Sequence, residues 1–394
     1  MTKLPEPETL APIPSLHQLF LSFLRLGATA FGGPAMIPYI RRMAVEQHKW
    51  LDDRSFRDGL ALCQTIPGAT AVQMCGYVGL RIRGLAGATA TFVAFALPAF
   101  LLMLVLSALY VLTQSVPQVT AIFNGLQAVV VAIIANATVS FGRTYLKTWQ
   151  TALIAVFAAG LFWFGVNPIA AIVLSGVVGL LILKSERTAH KAEIAKRPLY
   201  ALRSLLILVA VLALGYLALY LLQPALFELA SLMLVIDLFA FGGGFTSVPF
   251  MFNQVVSIRH WMDGPTFLNG IALGQITPGP IVITATYVGY LLYGAVGAVI
   301  ATFSVFLPSF LIVVAITPFF DRLRGTRYFN KVIRGVSVSF VGLLLVTTIH
   351  FGQNVPWDLP RIVLASAAFV ALYLKADILW VVLATGLLSV LILR

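Results

Sequence analysis

Apolar runs long enough to enter a membrane follow one another along this chain, separated by short polar stretches. They fall at about 16–40, 58–80, 85–112, 119–140, 150–166 and 168–183, then 201–222, then 226–250, 267–292, 295–317, 335–350, 361–374 and 377–393. A helix needs about 20 apolar residues to cross the hydrocarbon core, so each run predicts a helix in lipid. Glycine and proline interrupt four of them, as FGGPAMIP from Phe31, TIPGAT from Thr65, FGGGFTSVP from Phe241 and ITPGPIVIT from Ile276. In a helix interior Gly costs about 1 kcal/mol and Pro about 3 relative to Ala, so these stretches predict broken or re-entrant helices.

The interruptions recur. Sliding the chain against itself gives a register near 210 residues. Phe31, Gly32 and Gly33 match Phe241, Gly242 and Gly243; Gln64, Pro67 and Gly68 match Gln275, Pro278 and Gly279; Tyr77 matches Tyr287, and Gly84, Gly87 and Pro98 match Gly294, Gly297 and Pro308. Chance alignment of apolar sequence yields scattered Leu and Val identities, not rare residue types in order. The run 201–222 has no counterpart, so the offset is seven segments, an odd number, and the two copies face opposite sides of the membrane. The expected fold is an all-α polytopic membrane protein. It has two inverted-topology repeats of about six hydrophobic segments each, joined by one extra transmembrane helix. Its parts are a cytoplasmic tail over 1–15, an N-terminal repeat over 16–183, a basic cytoplasmic loop and linker helix over 184–225, and a C-terminal repeat over 226–394.

Composition agrees. With 60% hydrophobic and 10% charged residues, the chain has too little polar surface to cover a water-soluble globule. The acidic, proline-rich start MTKLPEPETLAPIP lacks the basic opening of a signal peptide and reads as the tail. A net charge of +12 would suggest nucleic acid in a soluble protein; here the basic residues sit in short loops and report orientation. If every segment spans, 18 Lys and Arg lie inside and 7 outside. If the first two segments of each half return to the face they left, the tally becomes 22 against 3, with Arg25 within the membrane. The second arrangement explains the basic loop 41–58.

Non-helical backbone at membrane depth is tolerated where it is buried in protein or lines a water-filled cavity, so the four breaks are the candidate site. Simple kinks are the alternative, but kinks alone leave loop 41–58 on the wrong side. A half-helix starting inside the membrane aims free N–H groups and the positive end of its dipole into the cavity, which suits an anion. Pro67 and Pro278 are placed to open such half-helices, with Thr277 as a cap. Gly68 and Gly279 allow close backbone approach, Thr70, Gln73 and Thr284 add neutral donors, and Gly32, Gly33, Pro34, Gly242, Gly243, Gly244 and Pro280 in the same breaks complete the candidate site. Gln64 and Gln275 either bridge the break or face the ligand; Tyr77 and Tyr287 either donate into the cavity or sit in an interfacial belt. Arg25 lies roughly 15 Å along the first helix, near mid-membrane. It either attracts the anion or pairs with Asp237, which is otherwise a titrating coupling site.

No nucleophile with a base, acidic pair or metal-ligand set lies at membrane depth, so neither an enzyme nor a cofactor is expected. An intramembrane enzyme or a scaffold is the reading from another class, and a scaffold would leave four breaks without a cavity to justify them. The motifs FGGP at 31–34, QTIPG at 64–68, FGGG at 241–244, QITPGP at 275–280 and TATYVG at 284–289 resemble the paired signatures of the chromate ion transporter family, in its long, two-domain form. That resemblance covers nearly the whole chain. It implies export of chromate, a tetrahedral dianion like sulfate, across the bacterial inner membrane, driven by membrane potential or protons. Two departures fall in the breaks: Ala35-Met36-Ile37 lacks the family's histidine, and Ala69 replaces a second proline. Sulfate or another tetrahedral oxyanion is the alternative cargo. The expected partners are that anion and the lipid bilayer, without nucleic acid, and a homodimer is compatible with the sequence.

Overall fold

The computed structural model describes residues 12–31, 36–183, 199–241, 244–319 and 327–393. Gly32, Gly33, Pro34, Gly242 and Gly243, most of the tail and the core of the basic loop lie outside them. Among the described residues there are fifteen α-helices and no strand.

The first half runs α1 (Leu16–Thr29), α2 (Met36–Arg41) continued by a π-helical turn Arg42–Gln47, α3 (Asp53–Thr65), α4 (Thr70–Thr113), α5 (Pro117–Tyr145), α6 (Trp149–Trp163) and α7 (Pro168–Ile182). The unpaired α8 (Leu199–Leu222) follows. The second half repeats the order as α9 (Pro224–Leu238), α10 (Ser247–Phe252) with its own π turn Asn253–Ile258, α11 (Gly264–Ile276), α12 (Thr284–Ile316), α13 (Arg327–Gln353), α14 (Leu359–Tyr373) and α15 (Ile378–Ile392). Helix starts follow local capping rules. Asp52 and Asp263 accept from Ser55 N–H and Thr266 N–H, each at 2.8 Å, and proline opens α5, α7, α9, α11 and α14.

α4 is not one rod. Arg83 and Gly84 leave helical geometry, with Gly84 at φ +61°, and the chain reverses there into a short arm (70–82) and a long arm (85–113). The arms touch backbone to backbone: a Cβ on Gly79 would lie 2.3 Å from the Gly87 carbonyl oxygen, so only glycine fits. Tyr293 and Gly294 divide α12 in the same way, and Gly289 faces Gly297.

These reversals make the first two segments of each half re-entrant. Arg83 donates to the Pro14 carbonyl (2.5 Å), tying the α4 turn to the start of α1. Arg41 pairs with Asp53 (2.7 Å), tying the end of α2 to the start of α3, and the Tyr77 hydroxyl donates to the Ser55 carbonyl (3.0 Å). The guanidinium of Arg41 also holds the Asp53 carboxyl below the usual carboxylate range. All four ends therefore sit at one face, so α1 ends away from it at Ala30 and the break 66–69 is the tip of a hairpin. In the second half Arg259–Glu228 (3.1 Å) and Tyr287–Thr266 (3.1 Å) do the same work.

That second face is the opposite one. Tyr110, near the far end of α4's long arm, accepts from Asn269 (3.1 Å) and stacks edge-on against Tyr287, roughly 38 Å of helix away from the Gly84 turn. The two halves are thus inverted copies, with Arg41, Arg42, Lys49, Arg54, Arg57, Arg81 and Arg83 all on the first face. Residues that touch their own repeat mates mark the twofold axis. Thr138 and Thr348, on α5 and α13, meet at 3.2 Å. One core of apolar side chains spans both halves, with Phe92 of α4 edge-on to Phe306 and Phe310 of α12.

Candidate functional site

α3 stops when Ile66 N–H closes on the Leu62 carbonyl (3.1 Å), and Pro67 cannot continue the ladder. Gly68 then takes φ +122°, and its N–H donates to the Ala240 carbonyl at the tip of α9 (2.8 Å). The second half returns the contact: Gly279, at φ +101°, donates to the Ala30 carbonyl at the tip of α1 (3.0 Å). Each break is therefore satisfied by the other half, and this reciprocity puts both on the axis.

A cavity of about 400 Å³ lies there. Gln64 and Gln275, repeat mates, both line it, together with Thr70, Ala71, Thr277, Gly244, Gly279 and Pro280. Its rim is formed by Phe141, Thr144 and Tyr145 at the end of α5 and by Ile378 and Leu379 at the start of α15. Arg143, Lys147 and Lys375 adjoin that rim in sequence, so the cavity opens toward the basic face. Among the described residues none with a formal charge lines it. Its polarity comes from amides, hydroxyls and the first N–H groups of α4, where Thr70 and Ala71 begin the helix in the cavity wall. The Gln275 amide nitrogen is buried without an acceptor, a donor waiting for one. This arrangement suits an anion, and neutral donors can release it again.

Several expected residues have other duties. Tyr77 and Tyr287 stand about two turns past the tips, and their hydroxyls are committed to the Ser55 and Thr266 carbonyls, so they bolt the hairpins and do not reach the cavity. Gln73 is fully buried and donates to the Pro67 carbonyl (2.5 Å), holding the break from behind. Thr284 is buried too, its hydroxyl on the Ile281 carbonyl (2.8 Å). Pro67 and Pro278 sit in the linkers and do not open helices: α4 starts at Thr70 and α12 at Thr284, after a 3-10 turn Ile281–Ile283. Thr277 does not cap a half-helix, because its hydroxyl donates back to Gly274 (2.8 Å).

Arg25 and Asp237 do not pair. Arg25 lies exposed on α1, outside the cavity lining, with no ion-pair partner among the described residues. Asp237 is fully buried and accepts from Ser309 twice, from N–H (2.9 Å) and from Oγ–H (2.6 Å). The rim residues and Ser309 were not singled out from sequence. Ser309 had a signal: it follows the matched Pro308, and its repeat mate Ala99 is apolar.

The chromate transporter family model matches residues 17–180 and again 227–390. The chain belongs to the chromate transporter family. Among its relatives, an uncharacterized transporter of Methanocaldococcus jannaschii is 43% identical over 96% of this chain and 95% of its own length. A chromate transport protein of Pseudomonas aeruginosa is 34% identical over 96% of this chain and 93% of its own. An uncharacterized transporter of Bacillus subtilis is 33% identical over 39% of this chain and 80% of its own length. No solved structure matches. Membership in a transporter family, with helices long and apolar enough to cross a membrane, makes this a membrane-embedded transporter.

Proposed function

We propose that this chain is a secondary transporter that exports chromate across the bacterial inner membrane, binding the anion in the cavity between its two breaks. The observation that carries this reading is a cavity on the twofold axis, lined by no charged residue among the described ones, whose polar wall is both repeat-related glutamines, threonine hydroxyls and the start of α4. A dianion enters at the basic face, where arginines and lysines raise its local concentration. It exchanges water for N–H, amide and hydroxyl donors. Rocking one half against the other then exposes the same cavity to the opposite face. The Pseudomonas aeruginosa relative bears chromate transport in its name, which supports chromate as cargo.

Neutral donors read tetrahedral oxygens and charge, and sulfate presents both, so sulfate or another oxyanion is the second reading. Purified protein in liposomes, loaded with radiolabelled chromate or sulfate, tests both. Chromate flux that unlabelled sulfate inhibits weakly supports the first reading. Sulfate flux without chromate flux supports the second. Movement of neither anion overturns both.

A further inference from the structure

One polar cluster in the membrane interior is not used by the anion cavity. It sits directly behind the first break. Asp237 of α9 holds Ser309 of α12 by two hydrogen bonds, and Ser309 Oγ in turn accepts from Ala69 N–H of the first half (3.0 Å). Ala69 also lines the cavity. A chain of polar contacts thus runs from a fully buried carboxyl in one half to the cavity wall in the other.

The cluster is short of protons. Asp237 Oδ1 and Gln73 Oε1 are both buried acceptors with no donor. Ser309, which Asp237 holds, and Gln73 both adjoin Gly68: a Cβ there would lie 2.1 Å from Ser309 Oγ and 2.5 Å from the Gln73 amide nitrogen. Asp237 has no ion-pair partner among the described residues, and α12, the first break and α4's short arm turn no charged group toward it. α8, which also leans on α9, brings Tyr216, committed to Ser304 (2.8 Å), and Tyr220, packed on Phe227. The repeat-related place in the first half has nothing comparable. Gly27 and Ala99 stand there, and a Cβ on Gly27 would lie 2.4 Å from the Phe95 carbonyl oxygen.

We propose that Asp237 is a proton-binding site, loaded and unloaded once per transport cycle, and that Ser309 transmits its charge state to the first break. This rests on the transport reading above but not on which anion is carried. Loading adds one proton from cavity water to a carboxylate oxygen, giving a neutral acid; unloading returns it, and no electrons move. With Asp237 ionised, Ser309 must point its hydroxyl proton at the carboxylate, which polarises its oxygen and strengthens its hold on Ala69 N–H. The two halves are then pinned in the present, basic-face-open arrangement. With Asp237 protonated, the acid itself becomes a donor, the Ser309 hydroxyl is freed, and the pin weakens so that the halves can move.

Full-length protein in liposomes tests this with sulfate and chromate as probes. An imposed pH gradient should raise flux by about fivefold or more, the lower range of ordinary coupling between sites. Asp237→Asn should abolish that stimulation while anion exchange without a gradient continues. Stimulation that survives in Asp237→Asn, or drive by a sodium gradient in place of pH, overturns the proposal. A second measurement needs no cargo. In a Cys63→Ala/Cys75→Ala background, maleimide labelling of Thr144→Cys at the cavity rim should vary with pH, and Asp237→Asn should make it flat. Flat labelling in the parent overturns the proposal. If neither anion moves while labelling still follows pH through Asp237, the anion reading falls and the proton site stands. Should Asp237→Asn fail to fold, Ser309→Ala serves: with the transmitting hydroxyl gone the labelling should lose its pH dependence, and a pH response equal to the parent's overturns the proposal.

Discussion

The two halves share one fold and differ in how much of it is covered. In the first half α2 lies partly open, with Tyr39 about half exposed, and Phe141 and Tyr145 stand at an accessible cavity rim. In the second half every residue of α10 is buried, and Phe351 and Val355, the repeat mates of that rim, are sealed, with Phe351 edge-on to Phe252 at 4.8 Å. Under the alternating access proposed above, the difference makes the first half's end of the cavity the open gate and the second half's the shut one. On the same proposal the other state would carry the same contacts with the halves exchanged.

The largest effect is expected where the copies differ most closely in space. Gly68→Ala places a methyl group 2.1 Å from Ser309 Oγ in a left-handed backbone conformation, whereas Gly279→Ala meets only the Ala99 methyl at 3.1 Å. Backbone strain costs about 1–3 kcal/mol in either case. At Gly68 the clash also displaces a hydroxyl that cannot yield without releasing Asp237 and Ala69. Flux should fall to background in Gly68→Ala and only partly in Gly279→Ala, and Gly68→Ala/Ser309→Ala should recover some of the loss. Equal loss at both glycines would erase this asymmetry between the halves.

Next is the closed gate. Phe351→Ala removes a fully buried ring, a change of about 3–5 kcal/mol in a packed core. The loss falls only on the state in which that ring is buried, so the population should shift toward the opposite opening. A cysteine at Val355 should then react with an impermeant maleimide from the far face, while the matching Phe141→Ala should leave it protected. Protection in both variants would remove Phe351 from the gate.

Much of this was legible beforehand, and the reason is rarity. Glycine, proline and glutamine recur in order at the breaks, so Gln64, Gln275, Thr70, Thr277, Gly279 and Pro280 could be named as neighbours of one cavity that they do line. The basic loop 41–58 exposed the re-entrant path because charge placement obeys a rule that hydropathy alone does not contain. What could not be read was depth within a hairpin. Tyr77 follows Thr70 by seven residues, about 10 Å toward the membrane face, which takes it away from the tip that makes the cavity. Periodicity reports which residues share a side of a helix, not which neighbour that side meets. The rim of α5 and the Ser309–Asp237 contact, formed across 72 positions of sequence, were invisible for the same reason.

A moderate effect is expected at Gln275, whose buried amide nitrogen lacks an acceptor. A hydrogen bond to a charged group contributes about 1.5–3 kcal/mol, so Gln275→Leu should weaken anion affinity by about tenfold or more. Gln64, more exposed in the same cavity, should matter less because water can replace its bond. Inhibition constants for unlabelled sulfate against chromate flux measure both, and a larger loss at Gln64 would reverse the ranking of the two halves.

The smallest effects belong to the paired tyrosines, and there the two halves should agree. Tyr77 and Tyr287 each donate one neutral hydrogen bond to a backbone carbonyl at opposite faces, at 3.0 and 3.1 Å. Each bond is worth about 1 kcal/mol. Tyr77→Phe and Tyr287→Phe should lower thermal stability in detergent slightly and leave anion affinity unchanged, since neither hydroxyl reaches the cavity. The rings themselves cannot be dispensed with so easily, because they fill the space facing Gly59 and Gly270, where an added Cβ would lie 2.2 and 2.4 Å from the ring. Tyr77→Ala should therefore cost far more stability than Tyr77→Phe. A changed affinity in either Phe variant would mean that the hairpins turn these hydroxyls inward during the cycle, and the bolts would then have to be counted as part of the site.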